Sequence, residues 1–212
     1  MTQNVSSAVM SQRIEAHDSL DFFPTPPWAT RALCEWIGEG AKEWTALEPA
    51  CGAGDMARPL SEYFKSVEAF DVHDYGHGYP VRDFLFGDAP KADWIITNPP
   101  FRLAAEFIGQ GLRCARHGVA MLVRTAFLEG KERYRELFNP LPPAFVLQFT
   151  ERVPMHKGKL TATGSTATAY CWIIWHASGP GFEGTRFNWI APCRKRLERV
   201  EDYAANGAAA AG

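Results

Sequence analysis

No C-x-x-C pair occurs among the five cysteines of this 212-residue chain, and Cys34, Cys51, Cys114, Cys171 and Cys193 are odd in number and widely spaced. That spacing speaks against a disulfide framework and against a structural zinc site, and a reducing compartment is expected. No run of about 18 apolar residues appears, and the opening stretch MTQNVSSAVMSQR has no apolar core of signal-peptide length. A cytoplasmic location without membrane association is expected. The formal charge is only -2, so no global basic field marks a nucleic-acid binder; positive charge would have to be concentrated in patches. His73 and His77 have i, i+4 spacing but no third ligand nearby, so no metal is expected. No internal repeat is visible.

What is present fits one soluble domain. The chain is 46% apolar and 22% charged, long enough for one well-cored unit and too short for two large ones. We expect a flexible arm over 1–20, a single domain over 21–200 and a disordered Ala/Gly tail over 201–212. Thr25 reads as an N-cap and Pro26 as the first helical position of a helix to Ile37, ended by Gly38 and Gly40. WTALEP reads as a strand, MARPLSEYF as a helix, VEAFDV as a second strand and VRDFLF as a short third segment. ADWIITNPPF is a fourth strand, LAAEFIGQGLRCA a helix, GVAMLV a fifth strand and EGKERYRELF an exposed charged helix. AFVLQF and ATAYCWIIW complete the strands. Alternation of strands and helices predicts an α/β protein with a mostly parallel sheet and helices on both faces.

LEPACGAGD places Gly52 and Gly54 after a strand and before a helix, where a turn lets backbone N–H groups approach a ligand. It is not the dinucleotide fingerprint, since position 57 is alanine. A plain tight turn remains the alternative. Glu48 at the end of that strand suits a ligand carrying an ammonium group. Asp71 at the end of the next strand is placed to accept hydrogen bonds from ribose hydroxyls. Cys51 reads as small-residue packing.

The fourth strand stops at Asn98-Pro99-Pro100-Phe101. The prolines cannot extend the ladder, but their carbonyls remain acceptors, and the Asn98 side chain adds another. Rigid acceptors beside an aromatic face suit a planar ring with an exocyclic amine: the ring stacks on Phe101, and the amine donates to Asn98 and Pro99. Catalysis there is positioning plus electrostatics, with no strong base. A proline-containing turn with a core phenylalanine is the alternative.

NPPF together with EPACGAG resembles the S-adenosylmethionine-dependent amino-methyltransferases of the Rossmann-like class, most of all the DNA adenine-N6 methyltransferases. FFPTPP, before the glycine-rich turn, is similar to the cofactor motif of the subgroup ordered cofactor then catalysis. VRTAFLEGKERY, TERVPM, TAYCWIIW and NWIAPCRKRLER resemble small phage and prophage members, so the likeness runs from Asp21 to Arg199. The resemblance implies a seven-stranded sheet whose last two strands form an antiparallel hairpin at one edge. It implies S-adenosylmethionine as cofactor and DNA as partner. By that likeness Phe23 and Thr25 meet the methionine end of the cofactor. Glu48, Pro49, Ala50, Gly52 and Gly54 line its methionine and ribose portion, Asp71 binds the ribose, and Asp83 and Phe84 hold its adenine. Asn98, which also borders the cofactor, joins Pro99, Pro100 and Phe101 in carrying the target base.

Asp71 and Asp83 lie close in sequence, as do Leu85 and Asp93, so crossover helices there must be short or absent. Larger members carry a separate target-recognition domain, whereas little sequence follows CWIIWHAS here. Arg102, Arg124, Arg152, Lys157, Lys159 and the Arg194–Arg199 run are the cationic candidates for nucleic acid, with the 151–166 connection supplying hydroxyls. A base within a duplex must be flipped to reach Phe101. Cytosine N4, an RNA base or a protein glutamine stay open as other acceptors. An inactive cofactor-retaining nucleic-acid binder stays open as a non-enzyme reading. A homodimer or a specificity partner is left undecided.

Overall fold

The computed structural model of the chain describes residues 21–163, 166–178 and 184–206. The arm expected over 1–20 lies outside the described residues. Helix α1 (Pro27–Ile37) leads into a 3-10 turn and strand β1 (Thr45–Glu48); α2 (Ala57–Leu60) and β2 (Ser66–Ala69) follow. Next come β3 (Ala92–Thr97), α3 (Ala104–Cys114) and β4 (Ala115–Arg124). The chain continues through α4 (Lys131–Arg133), β5 (Phe145–Phe149), β6 (Tyr170–His176), β7 (Arg186–Ile190) and α5 (Arg194–Leu197). The seven strands form one sheet in the order β2-β1-β3-β4-β6-β5-β7. Only β6 runs against the others.

Period two sorts the strand side chains onto two faces. Ile95, Met121 and Ile173 pack with Phe107 and Ile108 of α3 on one side. Ile96, Leu122 and Ile174 pack with Trp28 and Leu33 of α1 and Leu60 of α2 on the other. Each buried aliphatic side chain contributes about 1.5–3 kcal/mol. Because both faces are covered, YCWIIW reads as a continuous apolar run rather than an alternating one. Its two indoles satisfy their N–H groups inside the core: Trp172 donates to the Ala29 carbonyl at 3.2 Å and Trp175 to that of Leu141 at 3.0 Å.

Several local expectations need correction. VRDFLF forms no strand; it touches the sheet through a single bridge between Asp71 and Val81. The seventh strand is β7, whose mostly exposed side chains give no burial pattern. The β5–β6 pair is antiparallel as expected, but β7 lies outside it, so the hairpin is not the edge. Thr25 does not cap α1: Pro26 takes that position with no side-chain cap, and Pro27 opens the helix. The charged helix is one α-turn followed by a π-turn over Tyr134–Phe138.

The stretch expected to begin a loose tail at 201 starts instead with a 3-10 helix over Val200–Asn206. Buried Arg31 on α1 holds it. Its guanidinium donates to both oxygens of Asp202 at 2.7 and 2.8 Å and both of Glu62 at 2.8 and 2.9 Å, and also to the Leu197 carbonyl at 2.8 Å. Burial opposes this charge, but the hydrogen bonds to Asp202 and Glu62 outweigh it and hold Arg31 above its ordinary value. Residues 207–212 lie outside the described residues.

All five cysteines are free thiols and buried. Burial pushes each one up, Cys193 to about 11 and Cys171 to about 12.

Candidate active site

The chain leaves β1 for β2 on one side and returns to β3 on the other, which makes the carboxyl ends of β1 and β3 a topological switch point. A cavity of about 360 Å³ lies there. The Asp21–Thr25 segment, the glycine-rich turn, Asp71, the Asp83–Leu85 loop and Asn98 surround it.

The turn after β1 is fixed by backbone pairing. The Cys51 N–H donates to the Phe70 carbonyl at 3.0 Å and that of Gly54 to Cys51 at 2.7 Å. Gly52 and Gly54 adopt φ of 53° and 79°, the left-handed region that favours glycine. Space excludes a side chain as well: a Cβ at Gly52 would meet the Phe22 ring at 2.5 Å, and one at Gly54 the Tyr79 hydroxyl at 2.1 Å. Asp71 ties this turn to β2. One carboxylate oxygen accepts from the Gly52 N–H at 2.8 Å and the other from that of His73 at 3.0 Å.

Acidic charge concentrates on the floor. Glu48 is buried, and its Oε2 accepts no hydrogen bond among the described residues. Burial pushes its carboxyl well above the usual range, and Asp55 and Asp71 push the same way; Arg58 and the Ala57 N–H pull back only in part. Arg58 pairs with Asp55. The Tyr75 hydroxyl is pushed to about 12, by burial and then by Asp71. A ligand presenting a cation at this floor would restore the carboxylate form of Glu48.

The turn after β3 is bound to the segment preceding α1. The Asn98 amide nitrogen donates to the Phe23 carbonyl at 2.9 Å and the Thr25 hydroxyl at 3.1 Å. A carbonyl oxygen can only accept, so the amide orientation is chemically fixed. Asn98 Oδ1 is then left buried and without a donor among the described residues. Three residues further, the Phe101 N–H donates to the Asp21 carboxylate at 2.6 Å. The Pro100 carbonyl is taken by the Leu103 N–H, whereas that of Pro99 accepts no hydrogen bond among the described residues. The Phe101 ring leans on Phe23 with centroids 5.1 Å apart.

Phe23, Thr25, Glu48, Pro49, Ala50, Gly52, Asp71, Asp83, Phe84, Asn98 and Pro100 line the cavity together. Gly54, Pro99 and Phe101 do not: Gly54 packs under Tyr79, Pro99 is buried, and Phe101 lies beside Phe23. Asp83 accepts from the Leu85 N–H at 2.8 Å, and the Phe84 ring is buried against Phe70 and Phe107.

The cationic candidates divide. Arg102, Lys157 and Lys159 are exposed. Arg152 donates to the Ala167 carbonyl at 3.0 Å. Arg124 lies with its guanidinium carbon 3.9 Å from the Phe101 centroid. The Arg194–Arg199 run is largely a brace. Arg194 pairs with Glu198 and donates to the Ala162 carbonyl, Arg196 pairs with Glu35, and Arg199 pairs with Glu62. Glu151 accepts from the Cys193 and Arg194 N–H groups, which ties the run to the start of the 151–166 connection. That connection is anchored too: Val153 and Met155 are buried, and the Gly158 N–H donates to the Phe22 carbonyl at 2.8 Å.

Asp21, Phe22, Tyr75, Tyr79 and Met155 escaped the sequence reading. FFPTPP drew attention to Phe23 and Thr25, but nothing local shows that the Phe23 carbonyl and the Thr25 hydroxyl orient Asn98. Phe22 and Tyr75 pack with ring centroids 4.5 Å apart and planes tilted by 37°, a pairing visible only in three dimensions.

No helix among the described residues is long and apolar enough to cross a membrane. No protein-family model matches the sequence, and no curated protein matches it significantly. Solved structures do match. One is a protein from Listeria monocytogenes described as a class I S-adenosylmethionine-dependent methyltransferase, with TM-score 0.60 and 13% identity over 90% of this chain and 71% of that one. A second is a modification subunit described for a type I restriction enzyme of Vibrio vulnificus, with TM-score 0.54 and 16% identity over 90% and 53%. A third is a type I restriction-modification methyltransferase subunit from Streptococcus thermophilus, with TM-score 0.54 and 15% identity over 72% and 44%. The chain thus spans about half the length of these two restriction-system subunits. At such identities the likeness is one of architecture: the chain has the Rossmann-like class I methyltransferase fold.

Proposed function

We propose that this protein transfers a methyl group from S-adenosylmethionine to the exocyclic N6 amine of adenine in DNA. The observation that carries the proposal is the Asn98 amide, pinned through its nitrogen by Phe23 and Thr25 with its oxygen left as a buried acceptor that has no donor among the described residues.

The cavity suits the cofactor. Its acidic floor at Glu48, Asp55 and Asp71 complements an ammonium group. Each Asp71 oxygen, though engaged by a backbone N–H, keeps a lone pair for a ribose hydroxyl. Phe84, Leu85 and Phe107 offer apolar surface for a purine, with Asp83 at its rim. The cofactor supplies an electrophilic methyl group carried on a sulfonium.

The chain's own residues do the rest. Asn98 Oδ1 and the Pro99 carbonyl accept hydrogen bonds from the two amine hydrogens, which draws the nitrogen lone pair out of ring conjugation and orients it; the methylated nitrogen then releases one of those protons to solvent. Phe101 stacks the base. The Asp21 carboxylate fixes the Phe101 backbone, and the Asp21–Thr25 segment links cofactor cavity to base site. Positioning of this kind accounts for a large share of enzymic rate enhancement. Arg102, Lys157 and Lys159 are exposed for phosphate contact. The two restriction-system neighbours favour DNA as the substrate class.

The test is transfer of labelled methyl to duplex DNA followed by nucleoside analysis. N6-methyladenine is the expected product. Label found only in protein, in RNA or on cytosine would replace adenine as the acceptor, and cofactor binding without any transfer would support the non-catalytic reading.

A further inference from the structure

Arg124 occupies an unusual place for a cation read as a phosphate contact. It is the last residue of β4, beside β3, which Asn98 directly follows, and it is exposed. Its guanidinium carbon lies 3.9 Å from the centroid of Phe101 and 5.5 Å from that of Phe23. It also sits opposite Tyr170, its partner across the β4–β6 ladder. Among the described residues it forms no ion pair with a carboxylate, and its closest described contacts are the two rings.

The spacing matters. Stacked planar groups sit about 3.5–4 Å apart, so Arg124 is in direct contact with Phe101 and no base fits between them. Phe101 packs against the buried core cluster, and Arg124 covers it from the exposed side. If the target base stacks on Phe101, Arg124 already holds that place.

We propose that Arg124 is a resident stand-in for the target base. In the free protein its planar guanidinium shields Phe101. When a base arrives the guanidinium yields the ring and turns to the nucleic-acid backbone, where it contacts phosphate. This rests on the base-amine reading of Asn98–Phe101. An exposed cation–π contact is weaker than the stacking of a base on an aromatic ring, so the exchange runs toward the base. Occlusion of the ring lowers apparent affinity for any acceptor that offers a base but no phosphate, since only the fraction with Arg124 displaced can bind. Acceptors with a phosphate backbone recover that loss through the released cation. The device thereby favours a nucleic acid over a free nucleoside.

The experiment follows the Arg124 side-chain N–H resonance in labelled full-length protein, identified by its loss in Arg124→Lys. Stacking on Phe101 places this resonance upfield. With the cavity saturated by S-adenosylhomocysteine, adenosine is expected to move it toward its ordinary position, and inorganic phosphate is not. Arg124→Ala is expected to tighten adenosine binding about two- to fivefold and to raise KM for DNA about tenfold. It should also make the salt dependence of DNA binding shallower by about one unit of slope. Arg124→Lys, which keeps the charge but not the plane, should also tighten adenosine while retaining most of the DNA affinity. An Arg124 resonance unmoved by adenosine, or weaker adenosine binding in Arg124→Ala, overturns the stand-in even where the wild type methylates DNA. Absence of transfer to any nucleic acid by the wild type overturns the base-site reading, and this inference with it.

Discussion

The side-chain nitrogen of Asn98 donates to the backbone carbonyl of Phe23 at 2.9 Å, across 75 positions of sequence. With the Asp21–Phe101 bond, it makes the segment before α1 and the turn after β3 a single unit. Removal of this amide should disable chemistry more than folding. Asn98→Ala is expected to lower turnover by about 10²–10³ while changing the cofactor dissociation constant only a few-fold. Methyl-transfer kinetics beside calorimetric titration separate the two. Thr25→Val, which takes away one of the two oxygen partners of the amide nitrogen, should cost about tenfold or less.

The glycine-rich turn makes a second prediction. Gly52→Ala and Gly54→Ala each impose a left-handed φ on alanine and a steric overlap with Phe22 or Tyr79. Each should destabilise the protein by about 1–3 kcal/mol and weaken cofactor binding. Pairing Gly54→Ala with Tyr79→Ala should recover the steric part only, leaving about 1 kcal/mol. Urea denaturation of these variants and of Tyr79→Ala alone measures both parts.

A third concerns pH. The folded pKa of Glu48 is raised, first by burial and then by Asp55 and Asp71. A carboxyl of this kind contributes stability that is fully present below its unfolded value and is lost as pH rises through the folded one. Glu48→Gln should therefore raise the melting temperature of the ligand-free protein at pH 8 and flatten its decline with pH. The same variant should bind cofactor more weakly, and wild-type cofactor binding should release a proton. Calorimetry in buffers of different ionisation enthalpy reads that release directly.

A fourth tests the Arg31 clamp. Arg31→Met leaves Asp202 and Glu62 facing each other without their shared cation, and loss of one partner from a buried pair costs about 3–5 kcal/mol. A double variant, Arg31→Met with Asp202→Asn, should regain part of that loss. Chemical denaturation of both tests whether the Val200–Asn206 helix is an integral part of the domain.

The sheet and its two covering layers were legible because runs of apolar, β-branched and aromatic residues are a local signal, clear in ADWIIT, GVAMLV and YCWIIW. Asn98-Pro99-Pro100-Phe101 was legible for a related reason: four adjacent residues carry its chemistry. The misreadings share a cause. Arg196 and Arg199 looked like part of a solvent-facing basic run because their partners Glu35 and Glu62 lie far away in sequence. β7 was missed because an outer strand with mostly exposed side chains has no apolar alternation. VRDFLF was overread because its apolar residues serve different ends: Phe84 is buried in the core, whereas Val81 and Phe86 are exposed. In each case the deciding contact is non-local.

The five buried thiols have a practical consequence. They sit in α1, the glycine-rich turn, α3, β6 and the cap of α5, so every covalent probe must wait for a local opening before it can react. Labelling kinetics at Cys51 then become a clock for the turn at the cavity, and Cys193 a clock for the C-terminal brace. A ligand that fills the cavity should slow the first clock and leave the second running, a map of where its binding energy is felt without a single substitution.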